Sequence, residues 1–149
     1  MNVGVEIVGA FERGEEPPWC ANYIGLPFKS LGRDRSGLDC WGMVYLVHRD
    51  VFHREVPPYA EYADAYDIEE VSALIRGEIA TRWREAAPEQ LGDVILLRVR
   101  GQPCHVGVVV ARGKFLHSFE GTHSCVERYD NLKWRRRNLG FFRLLGESV

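Results

Sequence analysis

Apolar residues recur at helical spacing in two stretches of the chain. Met43, Val44, Val47 and Val51 predict a helix over about residues 40–52. In DIEEVSALIRGEIATRW, Ile68, Val71, Leu74, Ile75 and Ile79 share one face, and Asp67 or a neighbour stands where an N-cap belongs. After Pro88 the pattern changes. DVILLRVR, HVGVVVARG, KFLHSFE, SCVERYD and LGFFRLL are β-rich runs separated by Gly, Asp, Asn and Pro. Two connections, GQP and RG, are short enough to predict antiparallel hairpins. Helices first and strands second is the α+β order, not that of an alternating doubly wound sheet.

Ahead of these elements, MNVGVEIVGAF alternates loosely through Val3, Val5 and Ile7, and residues 1–16 read as an N-terminal arm or edge strand. GEEPP is a break, and Pro17 and Pro18 suit the opening turn of a short helix reaching about residue 24. GLPFKSLGRDRSGLD is a polar loop, and REVPPYAEYADAY an extended connector.

Composition narrows the class. A length of 149 residues is that of one domain, residues 1–149, and 46% apolar with 27% charged residues is ordinary for a globular chain. A formal charge of −2 gives no reason to expect a nucleic-acid partner. Arg128, Lys133, Arg135, Arg136, Arg137 and Arg143 cluster late, as a solvated face or as a contact for an anionic polymer or partner protein. The N-terminus has neither the basic nor the apolar region of a secretory signal, so cytoplasmic synthesis is expected. No apolar stretch approaches the ~20 residues of a membrane span, and no membrane partner is expected.

The cysteines are Cys20, Cys40, Cys104 and Cys125, with no C-x-x-C pair to suggest a zinc ribbon or a redox motif. Cys40 follows SGLD at the predicted start of a helix. There Ser36 or Asp39 can cap, and the unpaired amides and positive dipole end favour a thiolate. The same amides, that of Cys40 included, suit an oxyanion site. Alternatively, Cys40 shares the apolar face of Met43, Val44 and Val47 and is a small buried hydrophobe.

A nucleophile needs a base and an orienting group. Of five histidines, His105 opens HVGVVV and His117 lies in the next run, GKFLHSF. A hairpin turning at Arg112-Gly113 brings His105 and His117 near one end of adjacent strands. With a helix packed across that sheet, one imidazole takes the Cys40 proton while the other holds the ring in its tautomer. His48 and His53 read as exposed residues in or just beyond the first helix.

YIGLPFKSLGRDRSGLDCWGMV, LGDVILLR and HVGVVVARGKFLHSFEG, in that order, resemble the NlpC-type cell-wall cysteine peptidases over residues 19–145. The matching pieces are a G-x-P loop, a D-C-x-G helix start, a G-D-hydrophobic strand and an H-x-G strand with a polar residue in the strand after it. DCWG is similar to the phage-tail members. The resemblance implies a papain-like α+β fold, N-terminal helices packed on a C-terminal antiparallel sheet. It implies hydrolysis of γ-D-glutamyl–diamino-acid amides in peptidoglycan stem peptides, with Cys40 as nucleophile, His105 as base and His117 as orienter. No cofactor is implied, and phage-tail-like proteins are the implied protein partners, with action in the periplasm or cell wall. Family members often carry a tyrosine where this chain has Phe28, which cannot donate a hydrogen bond. Either a backbone amide suffices there, or Tyr23 or another donor compensates, or activity is reduced.

The remaining candidates are fewer. Asp39 either caps the helix or holds a substrate amine, Ser36 is a further substrate-binding candidate, and Trp41 either packs or lines the groove. His123 and Cys125, with Cys104 and His117, are an alternative zinc set that lacks ligand-pair spacing. A tail component that keeps this fold without the chemistry, and a papain-like acyltransferase, are the alternative functions.

Overall fold

A computed structural model describes residues 3–61 and 64–146. Positions 1 and 2 of the expected arm and 62 and 63 of the expected connector therefore lie outside the described residues. The elements are α1 (Val3–Glu12), a 3-10 helix (Pro18–Tyr23), the two-residue strands β1 (Arg33–Asp34) and β2 (Gly37–Leu38), α2 (Cys40–Asp50) and α3 (Ile68–Arg82). Then come β3 (Trp83–Glu85), β4 (Val94–Val99), β5 (Gln102–Ala111), β6 (Lys114–His117), β7 (Cys125–Arg128) and β8 (Asn138–Leu144).

Six strands form one antiparallel sheet in the order β3-β8-β4-β5-β6-β7. Strand alternation sorts its side chains onto two faces. Val94, Leu96, Val106, Val108, Val110 and Leu116 pack with Met43, Val44 and Val47 of α2 and Val71 and Ile75 of α3. Ile95, Leu97, Val109 and Phe115 point the other way, into a second cluster with Phe11, Tyr129 and Trp134. Helices α2 and α3 on one face of a C-terminal antiparallel sheet are the expected α+β architecture.

The N-terminal reading needs correction. Residues 3–12 form helix α1 where an edge strand or arm was expected. Its docking is narrow: Phe11 is buried in the second cluster, whereas Ile7 and Val8 stay 48% and 61% exposed. Arg112 fixes it, donating its backbone N–H to Phe11 O at 2.8 Å and pairing its guanidinium with Glu12. Strand β3 was also unforeseen, because Trp83 reads as the last residue of α3 and only its pairing with Leu144 on β8 makes it a strand. At the start of β4, Asp93 accepts from Gln90 N–H and holds Arg143 of β8 through two bonds of 2.8 and 2.7 Å. That double clamp is the work of the Gly-Asp before the strand.

Candidate active site

Helix α2 begins at Cys40 because Asp39 caps it. The Asp39 carboxylate accepts from Gly42 N–H at 2.9 Å, from Leu31 N–H at 2.9 Å and from the Arg33 guanidinium at 2.7 Å. The loop of β1 and β2 is thereby pulled over the first turn of the helix. Its fit requires glycine, since a Cβ at Gly42 would stand 2.3 Å from Gly32 O and 2.9 Å from Leu38 Cβ. Ser118, directly after β6, donates its hydroxyl to Leu38 O at 2.7 Å. The strand bearing His117 is thus tied to the turn bearing Cys40.

The partly buried Cys40 thiol donates to Cys104 O at 3.9 Å, and the next residue along β5 is His105. Cys40 and His105 line one cavity, together with Phe28, Asp39, Tyr66 and Phe119 among others. Burial pushes the Cys40 thiol up to about 12, reinforced by Asp39, while backbone hydrogen bonding at Val106 opposes it. Helix position alone would have favoured the thiolate; enclosure outweighs it, and the resting group is a thiol.

Behind His105 runs a directed chain. His105 Nε2 stands 2.8 Å from His117 Nδ1, and His117 Nε2 stands 2.7 Å from Glu127 Oε2. The other Glu127 oxygen takes the Trp134 indole N–H at 3.2 Å and lies 3.6 Å from Lys133 Nζ. The hydrogen bond from His117, the largest influence, holds the Glu127 carboxyl down at about 2. A carboxylate accepts and never donates, so the His117 proton sits on Nε2. His117 Nδ1 must then accept, His105 Nε2 must donate, and the lone pair of His105 is left on Nδ1.

Both rings are kept neutral. Burial pushes His105 well below its ordinary value, with His117 and Lys133 adding to it. Burial also lowers His117 against the pull of Glu127. Trp134 stacks on His105 at 5.7 Å between centroids and Phe119 meets it edge-on at 4.9 Å, which fixes the ring plane. Gly107 makes room for the pair: a Cβ there would stand 2.6 Å from Phe115 Cδ2 and 3.1 Å from His117 Cβ.

A thiol at a capped helix start and a buried imidazole thus line one cavity, and the clamped Gly-Asp opens a strand of the same sheet as that imidazole. Residues 25–143 match the NlpC/P60 family. The chain belongs to that family. It is 29% identical over 126 residues to the murein DD-endopeptidase MepH of Escherichia coli, covering 82% of this chain and 42% of that protein. It is 23% identical over 129 residues to the Escherichia coli protein named murein DD-endopeptidase MepS/murein LD-carboxypeptidase, covering 86% of this chain and 61% of that one. The chain thus spans between two-fifths and two-thirds of the length of these relatives. The crystal structure of the NlpC/p60 domain of the peptidoglycan hydrolase SagA superposes with a TM-score of 0.54 at 22% identity, over 82% of this chain and 89% of that one. An NLP/P60 lipoprotein-like protein of Staphylococcus aureus gives 0.61 at 16% identity, over 97% of this chain and 42% of that one. Both share the fold.

Within this NlpC/P60 domain, the expected residues do not all gather. Cys40, His105 and Asp39 line the cavity, and His117 stands directly behind His105. Ser36 does not line it: it sits exposed in the β1–β2 turn, its hydroxyl bonded to Asp34. Trp41 does not line it either. Its ring is buried against Tyr59 and Trp83 and its indole N–H bonds Pro57 O at 2.7 Å, because it starts the helix's inward face. Tyr23 donates to Asp50 at 3.4 Å and is no substitute donor beside Phe28, which packs on Tyr66 at the cavity wall.

The alternative zinc set does not assemble as expected. His123 is exposed ahead of β7, and the Cys104 thiol turns to Val99 O on the β4–β5 hairpin. No local signal in the sequence marks Glu127. It lies ten residues beyond His117, and only the β6–β7 register brings it there, with His117 opposite Cys125 and Phe115 opposite Glu127.

Proposed function

We propose that this domain is a cysteine peptidase that hydrolyses amide bonds in peptidoglycan stem peptides, of the γ-D-glutamyl–diamino-acid type. The observation that carries the reading is the directed hydrogen-bond chain from Glu127 through His117, which leaves a lone pair on His105 Nδ1 in a ring lining the cavity that also holds Cys40. The names of the murein endopeptidase relatives support the substrate class.

The chemistry follows from two neutral groups. The Cys40 side chain turns from Cys104 O toward His105, and its proton passes to Nδ1 as sulfur bonds the scissile carbonyl carbon. The oxyanion that forms lies at the N-terminus of α2, against the Cys40 amide, where each preorganised donor contributes roughly 2–4 kcal/mol. The new imidazolium keeps its Nε2 proton directed at His117, then returns the Nδ1 proton to the leaving amine as the C–N bond breaks. Water, deprotonated by the same nitrogen, hydrolyses the thioester and restores the thiol. The raised thiol and the lowered imidazole favour proton transfer in step with attack.

The cavity suits an amphiphilic peptide. Phe28, Tyr66 and Phe119 offer apolar wall, and the Arg100–Glu120 ion pair supplies both charges a diamino-acid end would meet. Delivery on a phage-like tail belongs to this reading on the strength of the DCWG likeness alone. Purified protein should release new amino termini from sacculi, and Cys40→Ala should abolish the release while folding normally; undiminished release by that variant refutes the mechanism.

A further inference from the structure

We propose that His117, Cys125 and Glu127 form a binding site for a borderline-soft divalent cation of the zinc type, and that its occupancy disables the base. The binding stands independently of the proposed reaction; only its consequence for hydrolysis rests on that reading.

Three donors of three kinds converge. Cys125 Sγ lies 3.8 Å from His117 Nε2 and 3.9 Å from Glu127 Oε2, and those two atoms are 2.7 Å apart. All three therefore fall within a sphere that one ion can occupy. A tetrahedral zinc with bonds of ~2.0–2.3 Å sets its ligand atoms ~3.3–3.5 Å apart. The Cys125 distances are already near that, and the His117–Glu127 contact needs to open by about half an ångström.

The placement comes from the strands. Cys125 is the direct cross-strand partner of His117, so their side chains share a face, and Glu127 is two residues further along it. β7 is one of the two edge strands of the sheet, and Cys125 and Glu127 are only partly buried, so an ion and a water in the fourth position have access from that side. Support surrounds the site: Trp134 steadies the spare Glu127 oxygen, and His117 Nδ1 meets His105, as the second nitrogen of a ligating histidine meets a partner. Lys133 opposes a cation through its 3.6 Å contact with Glu127, but it is a half-exposed lysine that can swing into solvent.

Binding inverts the relay. A metal on His117 Nε2 takes the lone pair there, so the His117 proton must sit on Nδ1. Nδ1 then donates to His105 Nε2, and the His105 proton is forced onto Nδ1, the nitrogen needed to accept from Cys40. Before binding, the two rings and the Cys125 thiol hold three protons; afterwards the rings hold one each and the sulfur none, so one proton per ion goes to solvent.

Cobalt(II) titration of the full chain gives the readout. Thiolate-to-cobalt absorption in the near ultraviolet should appear in wild type and in Cys40→Ala, and be lost in Cys125→Ala and weakened at least tenfold in Glu127→Ala. If Cys40→Ala loses the band and Cys125→Ala keeps it, the ion sits at the nucleophile and the proposal fails. Imidazole nitrogen-15 shifts in Cys40→Ala should move the His105 proton from Nε2 to Nδ1 on adding zinc; unchanged shifts overturn the tautomer switch. On sacculi, zinc should inhibit wild type, whereas Cys125→Ala should keep its basal activity and tolerate at least tenfold more zinc; equal inhibition of both overturns the regulatory consequence. Should neither protein digest sacculi while cobalt binds as expected, the peptidase reading falls and the metal site stands.

Discussion

His117 Nε2 lies 2.7 Å from Glu127 Oε2, and this single contact decides which nitrogen of His105 carries a proton. The carboxylate, held down at about 2, is an acceptor at any working pH. Glu127→Gln replaces it with an amide that can accept through oxygen or donate through nitrogen, so the tautomer of His117 is no longer dictated. We expect kcat to fall at least about tenfold, or ~1.4 kcal/mol, with little change in KM, since no contact with substrate is lost. Steady-state kinetics on a soluble muropeptide decide it; a wild-type kcat in Glu127→Gln would remove the carboxylate from the mechanism.

Gly107 couples the relay to the sheet. Alanine there pushes against Phe115 and against His117 Cβ, both held within a packed strand pair. Overpacking of this kind costs ~1–3 kcal/mol, and relief by shifting β6 lengthens the His105–His117 contact. The prediction is a lowered unfolding midpoint together with an activity loss that persists at temperatures where the variant is fully folded. Normal activity at such a temperature would mean the two strands absorb the methyl without moving the imidazoles.

Asp39 is a cap and a buried ion-pair partner at once, joined to Gly42, Leu31 and Arg33. Asp39→Ala removes the cap, worth ~1 kcal/mol, and takes the counter-charge from a mostly buried guanidinium that keeps only the carbonyl acceptors of Gly32, Pro58 and Tyr59 beside it, which brings the total to ~3 kcal/mol. Asp39→Asn, retaining a cap acceptor, should fall between. Chemical denaturation of the three proteins checks the order, and an alanine variant as stable as wild type would show that the loop holds itself.

Local signals were legible and long-range ones were not. The helices from Cys40 and Ile68, the Asp39 and Asp67 caps and the five long strands each follow from spacing or capping within a dozen residues. So does the meeting of His105 and His117, which needs only one tight hairpin. Glu127 required the register of a strand pair separated by a seven-residue connection, β3 required a partner at the other end of the chain, and α1 is docked by the β5 end. Trp41 and His48 mislead for another reason. Polar atoms suggested the groove or solvent, yet Trp41 Nε1 finds Pro57 O, and His48 Nδ1 finds Val44 O one turn back at 2.9 Å. Each ring is thus buried with a ring N–H paired to a backbone carbonyl.

Burial of His48 makes the fold acid-sensitive. Its ring packs against Phe52 and Trp83, and burial pushes it down to about 4 from its ordinary 6.5. The folded state therefore resists a proton that the unfolded chain accepts. Stability from this residue is complete above about pH 6.5, declines as pH falls from there to about 4, and levels off once the folded protein also protonates. Two to three pH units of separation correspond to a loss of ~3 kcal/mol. His48→Leu removes the titration and keeps an apolar side chain of similar size. It gives up one hydrogen bond to a carbonyl that already accepts within the helix, so it costs at most ~1 kcal/mol at neutral pH. Urea midpoints measured from pH 7.5 to 4.5 should fall more steeply for wild type than for His48→Leu, so that the two curves converge or cross toward the acid end. Because every carboxylate is common to both proteins, the difference isolates His48, and parallel curves would show that its imidazole is protonated in the folded core.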